Sequence, residues 1–374
     1  MKNSIKNILL LAIALCFSYL VAEIILRLFL PQPLVLYNPG LWRPDSLVQY
    51  RHQESTSGYI NSGEGKVFFI TDSNGFRVNE MHPDHQNKET AFSILMLGDS
   101  YIEAVQVEGS KAIPGFVQNK LESKYKKHIE ISNAGVAGWS PNHYLIETKN
   151  ILSRDSYNLA IIFLFIQNDI VKRKIDRFDK NEYTRWHKFK FPTRLDHIFQ
   201  FVLLPLNDRL SHISHFWVFL KRKSRFIRMK FGLSGHNLPE LYYKNNQYDE
   251  RFVITGNICE EIDNAFKEKG IETSFILIPH EIQLNKELLE KYIKMWEINR
   301  NEIDVNYPTT RINNELIGRK LNVIDPTKIM VQKINSGIKL YGEIDEHFNE
   351  KGHELISNII LPIISKHLDN EILK

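Results

Sequence analysis

From residue 92 onward, short apolar runs alternate with stretches of helical spacing, and this alternation restricts the fold more than any other feature of the 374-residue chain. Residues 93–97, 129–132, 159–166, 273–278 and 322–324 read as strands, from their length, their apolar runs and the turn residues that bound them. Between them, about 114–125, 142–152 and 248–269 read as helices, the last stopped by Gly270. A C-terminal helix is expected over 350–367, interrupted or bent near Pro362. Strands parted by helices need crossovers, so the sheet should be parallel and covered on both faces: a three-layer α/β/α fold. Ligands in such sheets bind at the carboxyl ends of the strands. Ser100, Asn133, Gly138 and Asn168 each follow an expected strand, and a common rim is expected for them.

The N-terminal end is different in kind. Residues 8–30 are apolar except for Glu23 and Arg27, and Lys2 and Lys6 precede them. A helix of that length reaches about 34 Å, enough for a hydrocarbon core of about 30 Å. Glu23 and Arg27 are four apart, share a helix face and can pair at the exit end. The expectation is an uncleaved anchor, with 1–7 cytoplasmic, 8–30 spanning the membrane and the rest exported. A cleaved signal peptide and a buried soluble helix are the alternatives. Cleavage after Ala22 would put Leu20 where a small residue is wanted, and Leu15 before Cys16 does not suit a lipoprotein. Residues 31–90 form an irregular lead-in rich in proline and turn signals, with a short strand at 67–70, an Asn74-Gly75 turn and room for a hairpin.

Hydrophobic content of 43% and charged content of 25% are those of a globular protein, and no repeat at solenoid periods is visible. A net charge of +4 is too small to indicate nucleic acid, which is not expected as a partner. Cys16 and Cys259 cannot build a disulfide framework, and Cys259 reads as a small buried residue. His347 and His353 lack metal-motif spacing, so neither metal nor organic cofactor is implied.

Charge is concentrated in one place. Residues 171–230 hold roughly sixteen Lys and Arg against five acidic residues, within a basic helical insertion placed at about 171–247 of the 91–374 domain. There Leu206, Leu210, Ile213, Trp217, Leu220 and Ile227 fall at helical spacing. Such a helix suits either a cap over the domain or contact with phospholipid or an anionic glycan.

The chemistry starts at Gly98-Asp99-Ser100-Tyr101, where a hydroxyl follows a buried strand and opens a helical pattern. A serine is a weak nucleophile unless a base takes its proton and a third group orients that base. Asp345-Glu346-His347 supplies both, with His347 as base and Asp345 as its partner. The Ser100 and Gly138 N–H groups and the Asn168 amide are candidate oxyanion donors. Taken singly, these fragments are ordinary turns and caps. Their joint order is specific: strand-Gly-Asp-Ser, strand-Asn-x-Gly-x-x-Gly, strand-Asn-Asp, then Asp-x-His before the last helix. His353 reads as a packing or surface residue.

That order resembles the SGNH hydrolases, the GDSL-type esterase and lipase superfamily, over roughly 92–367. The resemblance implies a flavodoxin-like parallel sheet, Ser100 as nucleophile, Gly138 and Asn168 in the oxyanion hole, and His347 as base. Thr71-Asp72-Ser73-Asn74-Gly75-Phe76-Arg77 also looks like the lead-in of exported bacterial members. Two departures stand out. The family commonly spaces its acid and histidine by three, which would fall on Ile344, whereas Asp345 is two before His347; polysaccharide-acetylating relatives share the short spacing. The third block, Ile166-Gln167-Asn168-Asp169, lacks its usual glycine. The function implied is an exported, membrane-anchored serine esterase acting on an acyl ester, expected to be acetyl, of an envelope or extracellular glycan or lipid. A polysaccharide O-acetyltransferase using the same site and a non-catalytic glycan-binding or scaffolding module are the alternatives.

Overall fold

The computed structural model describes residues 2–79, 90–178, 204–230, 240–244 and 249–372. The chain divides into two units, Met1–Tyr37, Tyr59–Lys66 and Arg185–His236 forming one, and Asn38–Gly58, Val67–Thr184 and Asn237–Lys374 the other. In chain order the elements are α1 (Lys2–Phe29), β1 (Trp42–Asp45), β2 (Gln49–His52), β3 (Ser57–Asn61), β4 (Lys66–Ile70), β5 (Phe92–Gly98), α2 (Ser100–Glu103), α3 (Ile113–Tyr125), β6 (Ile129–Gly135), α4 (Pro141–Leu152) and β7 (Leu159–Phe165). There follow α5 (Leu204–Ile213), α6 (His215–Lys230), α7 (Asp249–Lys267), β8 (Glu272–Ile278), α8 (Glu281–Leu284), α9 (Lys286–Trp296), α10 (Tyr307–Gly318), β9 (Val323–Ile324), α11 (Thr327–Asn335) and α12 (Glu350–Ile372).

In the larger unit the five strands stand in the order β6-β5-β7-β8-β9, and every neighbouring pair is parallel. Successive side chains of β5 serve opposite layers, as strand geometry requires. Leu95 and Leu97 pack with Tyr144, Ile258, Cys259 and Ile312 on one face. Ile94 and Met96 pack with Val117, Leu121 and α12 on the other. Both faces are buried, which explains the nearly unbroken apolar run of β7. On α12, Ile356, Ile360, Ile364 and Leu368 recur every four residues, all at 0% exposure. Each such side chain contributes roughly 1.5–3 kcal/mol. Pro362 sits on the exposed side of this helix, which runs on to Ile372 because the lost N–H bond faces water.

The chain goes from β5 to β6 at one edge, then back across β5 to β7. The carboxyl end of β5 is therefore the topological switch point, where the loops of the two halves part and leave a crevice. Ser100 is the second residue beyond it.

Part of the irregular lead-in is ordered with the sheet. β1 and β2 form an antiparallel hairpin with Trp42 opposite His52 and Asp45 opposite Gln49. Asp45 fixes its turn by accepting from the Leu47 and Val48 N–H groups at 2.8 and 3.1 Å. Arg51 forks onto Glu147 of α4 at 3.1 and 2.9 Å, a bidentate pair that ties the hairpin to the layer beside β6.

In the smaller unit, Ile5–Phe29 is long and apolar enough to cross a membrane. Arg27 and Glu23 pair at 2.7 Å, as their spacing predicts. Much of the basic insertion lies outside the described residues, as do the side chains of Arg225 and Arg228. Its described helices are α5 and α6.

Candidate active site

The site is built on a short piece of chain. β5 ends at Gly98, where a Cβ would come within 2.6 Å of the Ile102 side chain and 3.3 Å of Phe163, so only glycine lets the chain turn this tightly over the sheet. Asp99 caps the next helix, its carboxylate accepting from the Tyr101 N–H at 3.0 Å. That helix, α2, is a single turn ending at a left-handed Ala104. Four residues give little dipole, so what this turn can offer a developing oxyanion is its backbone N–H groups.

Ser100 is 8% exposed, and its Oγ lies 2.7 Å from His347 Nε2. The other ring nitrogen, Nδ1, is hydrogen-bonded to Asp345 Oδ1. The two-residue spacing thus lets the carboxylate reach the ring. Gln106 completes the chain of contacts, donating from Nε2 to Asp345 Oδ2 at 2.8 Å. Tyr101 supports the histidine loop twice, donating to the Glu346 carbonyl at 2.9 Å and placing its ring 4.9 Å from the imidazole. Glu346, which stands between the two, turns to His280 and Tyr292 instead, at 3.3 and 3.2 Å.

Burial pulls the His347 pKa down, but the hydrogen bond and charge of Asp345 outweigh it and leave the imidazole above its usual range. An imidazole acts as base only when neutral, so activity should fall as pH drops through a value above about 6.5. In Asp345→Asn the two largest raising contributions go, and burial remains against only the charges of Asp99 and Glu103. The acid limb of the pH–rate profile should then move to lower pH, and the rate should drop by about 10³–10⁴-fold as tautomer control is lost. An unmoved limb would argue that the titrating group is not His347.

Asn168 and Gly138 are reached through their neighbours. Asn168 directs its amide at Asp99 Oδ2, a long contact of 3.5 Å. Gly138 takes φ +80, a backbone conformation that glycine favours, and a Cβ there would stand 2.6 Å from the Tyr50 hydroxyl. Its loop is tied to the nucleophile turn where the Val136 N–H meets the Gly98 carbonyl at 3.1 Å. The fourth expected rim residue, Asn133, lies within β6 rather than after it. It has a bracing part, donating to the Ile102 carbonyl at 3.0 Å beneath the serine helix. His353 is fully buried, edge-on to Phe348 at 5.7 Å, which settles it as a packing residue.

Two further carboxyl groups lie under the serine. Burial pushes Asp99 up to about 6, against the Tyr101 N–H bond and the nearby His347. Burial, reinforced by the charge of Asp99, pushes Asp169 well above the carboxylate range despite its bonds from the Phe165 N–H at 2.9 Å and the Tyr144 hydroxyl at 3.1 Å. Asp169, buried and held by these two bonds, is a structural tie under Asn168.

Sequence reasoning missed the buttress. Glu103, at the end of α2, accepts from the Trp42 indole at 3.0 Å and bonds His52 at 2.8 Å. Tyr50 donates to the Ala137 carbonyl at 2.8 Å, beside Gly138, and the Trp139 indole donates back to the Tyr50 carbonyl at 3.0 Å. One hairpin thus holds both the serine helix and the glycine loop. Arg77 adds a fork: fully desolvated, it donates to the carbonyls of Glu103, Ala104 and Val107 at 2.6, 2.5 and 2.6 Å. The signal available was Asp72-Ser73-Asn74-Gly75-Phe76-Arg77, whose Asp72 carboxylate closes the turn on the Asn74 and Phe76 N–H groups at 2.8 Å each.

No family model matches the chain, and no curated protein matches it. Solved structures that match include a member of the lipolytic protein G-D-S-L family from Veillonella parvula, at 12% identity over 73% of this chain and 98% of that one, with a TM-score of 0.38. An acetyl xylan esterase matches at 11% identity, 73% and 99% coverage and TM-score 0.40. A lipase/acylhydrolase from Enterococcus faecalis matches at 14% identity, 73% and 95% coverage and TM-score 0.37. The chain resembles the SGNH hydrolases. In the terms of that resemblance, Ser100, Gly138, Asn168 and His347 stand for the four blocks. Among the described residues, no group of three or more His, Cys, Asp or Glu side chains has metal-site geometry.

Proposed function

We propose that this chain is a membrane-anchored serine esterase of SGNH type, with α1 as an uncleaved anchor and the sheet unit exported. The observation that carries the reading is the continuous hydrogen-bonded chain Gln106–Asp345–His347–Ser100 at the topological switch point. Ser100 Oγ attacks the ester carbonyl carbon while its proton passes to His347 Nε2, and Asp345 stabilises the imidazolium. The Ser100 and Gly138 N–H groups and the Asn168 amide are the donors for the oxyanion. On collapse the ester C–O bond breaks, the alcohol leaves with the proton from His347, and an acyl-enzyme remains. Water, deprotonated by His347, releases the acid. A sugar hydroxyl in the same place would instead give an acetyltransferase, a reading favoured by the short Asp-x-His spacing.

The acyl group is proposed to be acetyl and the carrier a glycan or lipid of the cell envelope. A panel of acetyl, butyryl and longer acyl esters, with and without a sugar acceptor, tests this on the full chain. Acetyl esters should turn over fastest, with free acetate as the product. Acetate release that is replaced by acetylated sugar when acceptor is present would move the reading to the transferase, and no turnover or fluorophosphonate labelling at all would leave a binding module.

A further inference from the structure

The smaller unit contains an arrangement that catalysis does not use. Glu23, in the apolar helix α1, is only 9% exposed. Besides Arg27, it accepts from the Ser214 hydroxyl at 2.7 Å and from the His215 and Phe216 N–H groups at 3.0 and 2.8 Å. The carboxylate of one helix thus caps the start of another, α6. Arg27 reaches over to the Ile213 carbonyl at the end of α5, and Tyr19 contacts Ser214 and Phe216. An acidic side chain in a membrane span is costly unless paired, and this one is fully engaged.

The latch also sets a depth. Glu23 lies six residues before Phe29, about 9 Å below the end of the helix at 1.5 Å per residue. If α1 spans the bilayer, the junction of α5 and α6 falls at the headgroup and upper acyl level.

The two helices carry the side chains that such a level selects. On α5, Leu206 and Ile213 are 48% and 54% exposed, and Arg209, also exposed, lies between them on the same stripe. On α6 the pattern recurs, with Leu220 and Ile227 42% and 53% exposed and Lys223 between them. Each helix therefore presents aliphatic, cation, aliphatic at positions i, i+3 and i+7. A cation on a long stem can lift its charge to the headgroups while the aliphatics beside it enter the acyl region. A stripe meant to pack on protein would not leave all four aliphatics exposed with a charge inserted between them.

We propose that the α5–α6 hairpin is an interfacial platform, seated by Glu23, that lies on the bilayer and binds anionic phospholipid headgroups through Arg209 and Lys223. The proposal rests on α1 being a membrane anchor. Its partner follows from charge complementarity and from continuity with the spanning helix.

The test uses the full chain in nanodiscs of phosphatidylcholine alone or mixed with phosphatidylglycerol. Cys16 is exposed on α1 and Cys259 is buried, so a nitroxide on native Cys16 reports the anchor. In a Cys16→Ser chain, nitroxides at Leu220→Cys or Ile227→Cys report the platform. The expected result is a Cys16 label deep in the bilayer and labels at 220 and 227 collided by oxygen in preference to a water-soluble nickel chelate. Phosphatidylglycerol should drive the latter two deeper; Arg209→Glu with Lys223→Glu should abolish that shift, and Arg209→Lys with Lys223→Arg should keep it. A Cys16 label found in water overturns the anchor and the platform with it. A buried Cys16 label with a water-exposed or collision-protected label at 220, or with the same depth in both lipids, overturns the platform alone.

Discussion

Replacing Ser100 with alanine should abolish fluorophosphonate labelling and reduce ester turnover by about 10⁴–10⁶-fold, the scale seen when a triad nucleophile is removed. Stability should hardly change, because the caps of α2 come from Asp99 and its last turn is held by neighbours rather than by the hydroxyl. The sharper expectation is non-additivity. On the proposed mechanism Ser100 and His347, 2.7 Å apart, act as one unit. Adding His347→Ala to Ser100→Ala should therefore cost at most a few-fold more, whatever each change costs alone. Steady-state rates of the two single variants and the double, with circular dichroism to verify folding, decide the matter. If the Ser100→Ala protein retained a tenth of wild-type turnover, the acyl-enzyme route through this residue would be untenable.

The second large effect is expected far from any substrate. Arg77→Ala removes a buried guanidinium that donates to three carbonyl oxygens at once, of which Ala104 keeps the Val107 N–H. Leaving a buried carbonyl unsatisfied costs about 1–3 kcal/mol, so losing the donor to two or more of them should lower Tm by roughly 4–15 °C in a domain of this size. Arg77→Lys should recover only part of this, since an ammonium is a point charge without the planar fork. The carbonyls concerned flank Gln106, whose amide holds Asp345. Loss of the fork should therefore lower kcat more than it alters KM, even below the melting range. Calorimetry and steady-state kinetics of the Ala and Lys proteins would show whether Arg77 is such a brace. A Tm within a degree of wild type would refute it.

The fold was legible in the sequence because it depends on patterns that repeat locally. Buried strands such as 159–165 carry unbroken apolar runs, the helices over them carry spaced ones, and glycines stop the chain where Cβ atoms would collide. The candidate triad was legible for a similar reason: a serine just past Gly98 and a histidine before a helix are local signatures, and the 2.7 Å approach of the two is what the fold adds. Strand ends were less clear. β6 runs on to Gly135, because Asn133 and Gly135 stay paired with Met96 and Gly98 of β5 although the run of aliphatics has ended. The buttress was not legible at all. Trp42, His52 and Tyr50 act through hydrogen bonds to residues 51–89 positions away, and a proline-rich approach carries no periodicity to announce them. Glu23 shows both cases in one side chain, since its pairing with Arg27 follows from helical spacing and its contact with Ser214 does not.

The hydrogen bond between Ser100 and His347 joins positions 247 residues apart. A ribosome delivers the hydroxyl long before the imidazole, and until the loop carrying Asp345 and His347 reaches the end of β5, Ser100 is an ordinary alcohol with an ordinary reactivity. On the proposed mechanism the polypeptide carries no activated nucleophile until those two positions meet. Turnover by that mechanism is therefore a report on long-range folding, because no local piece of the chain holds both the hydroxyl and its base.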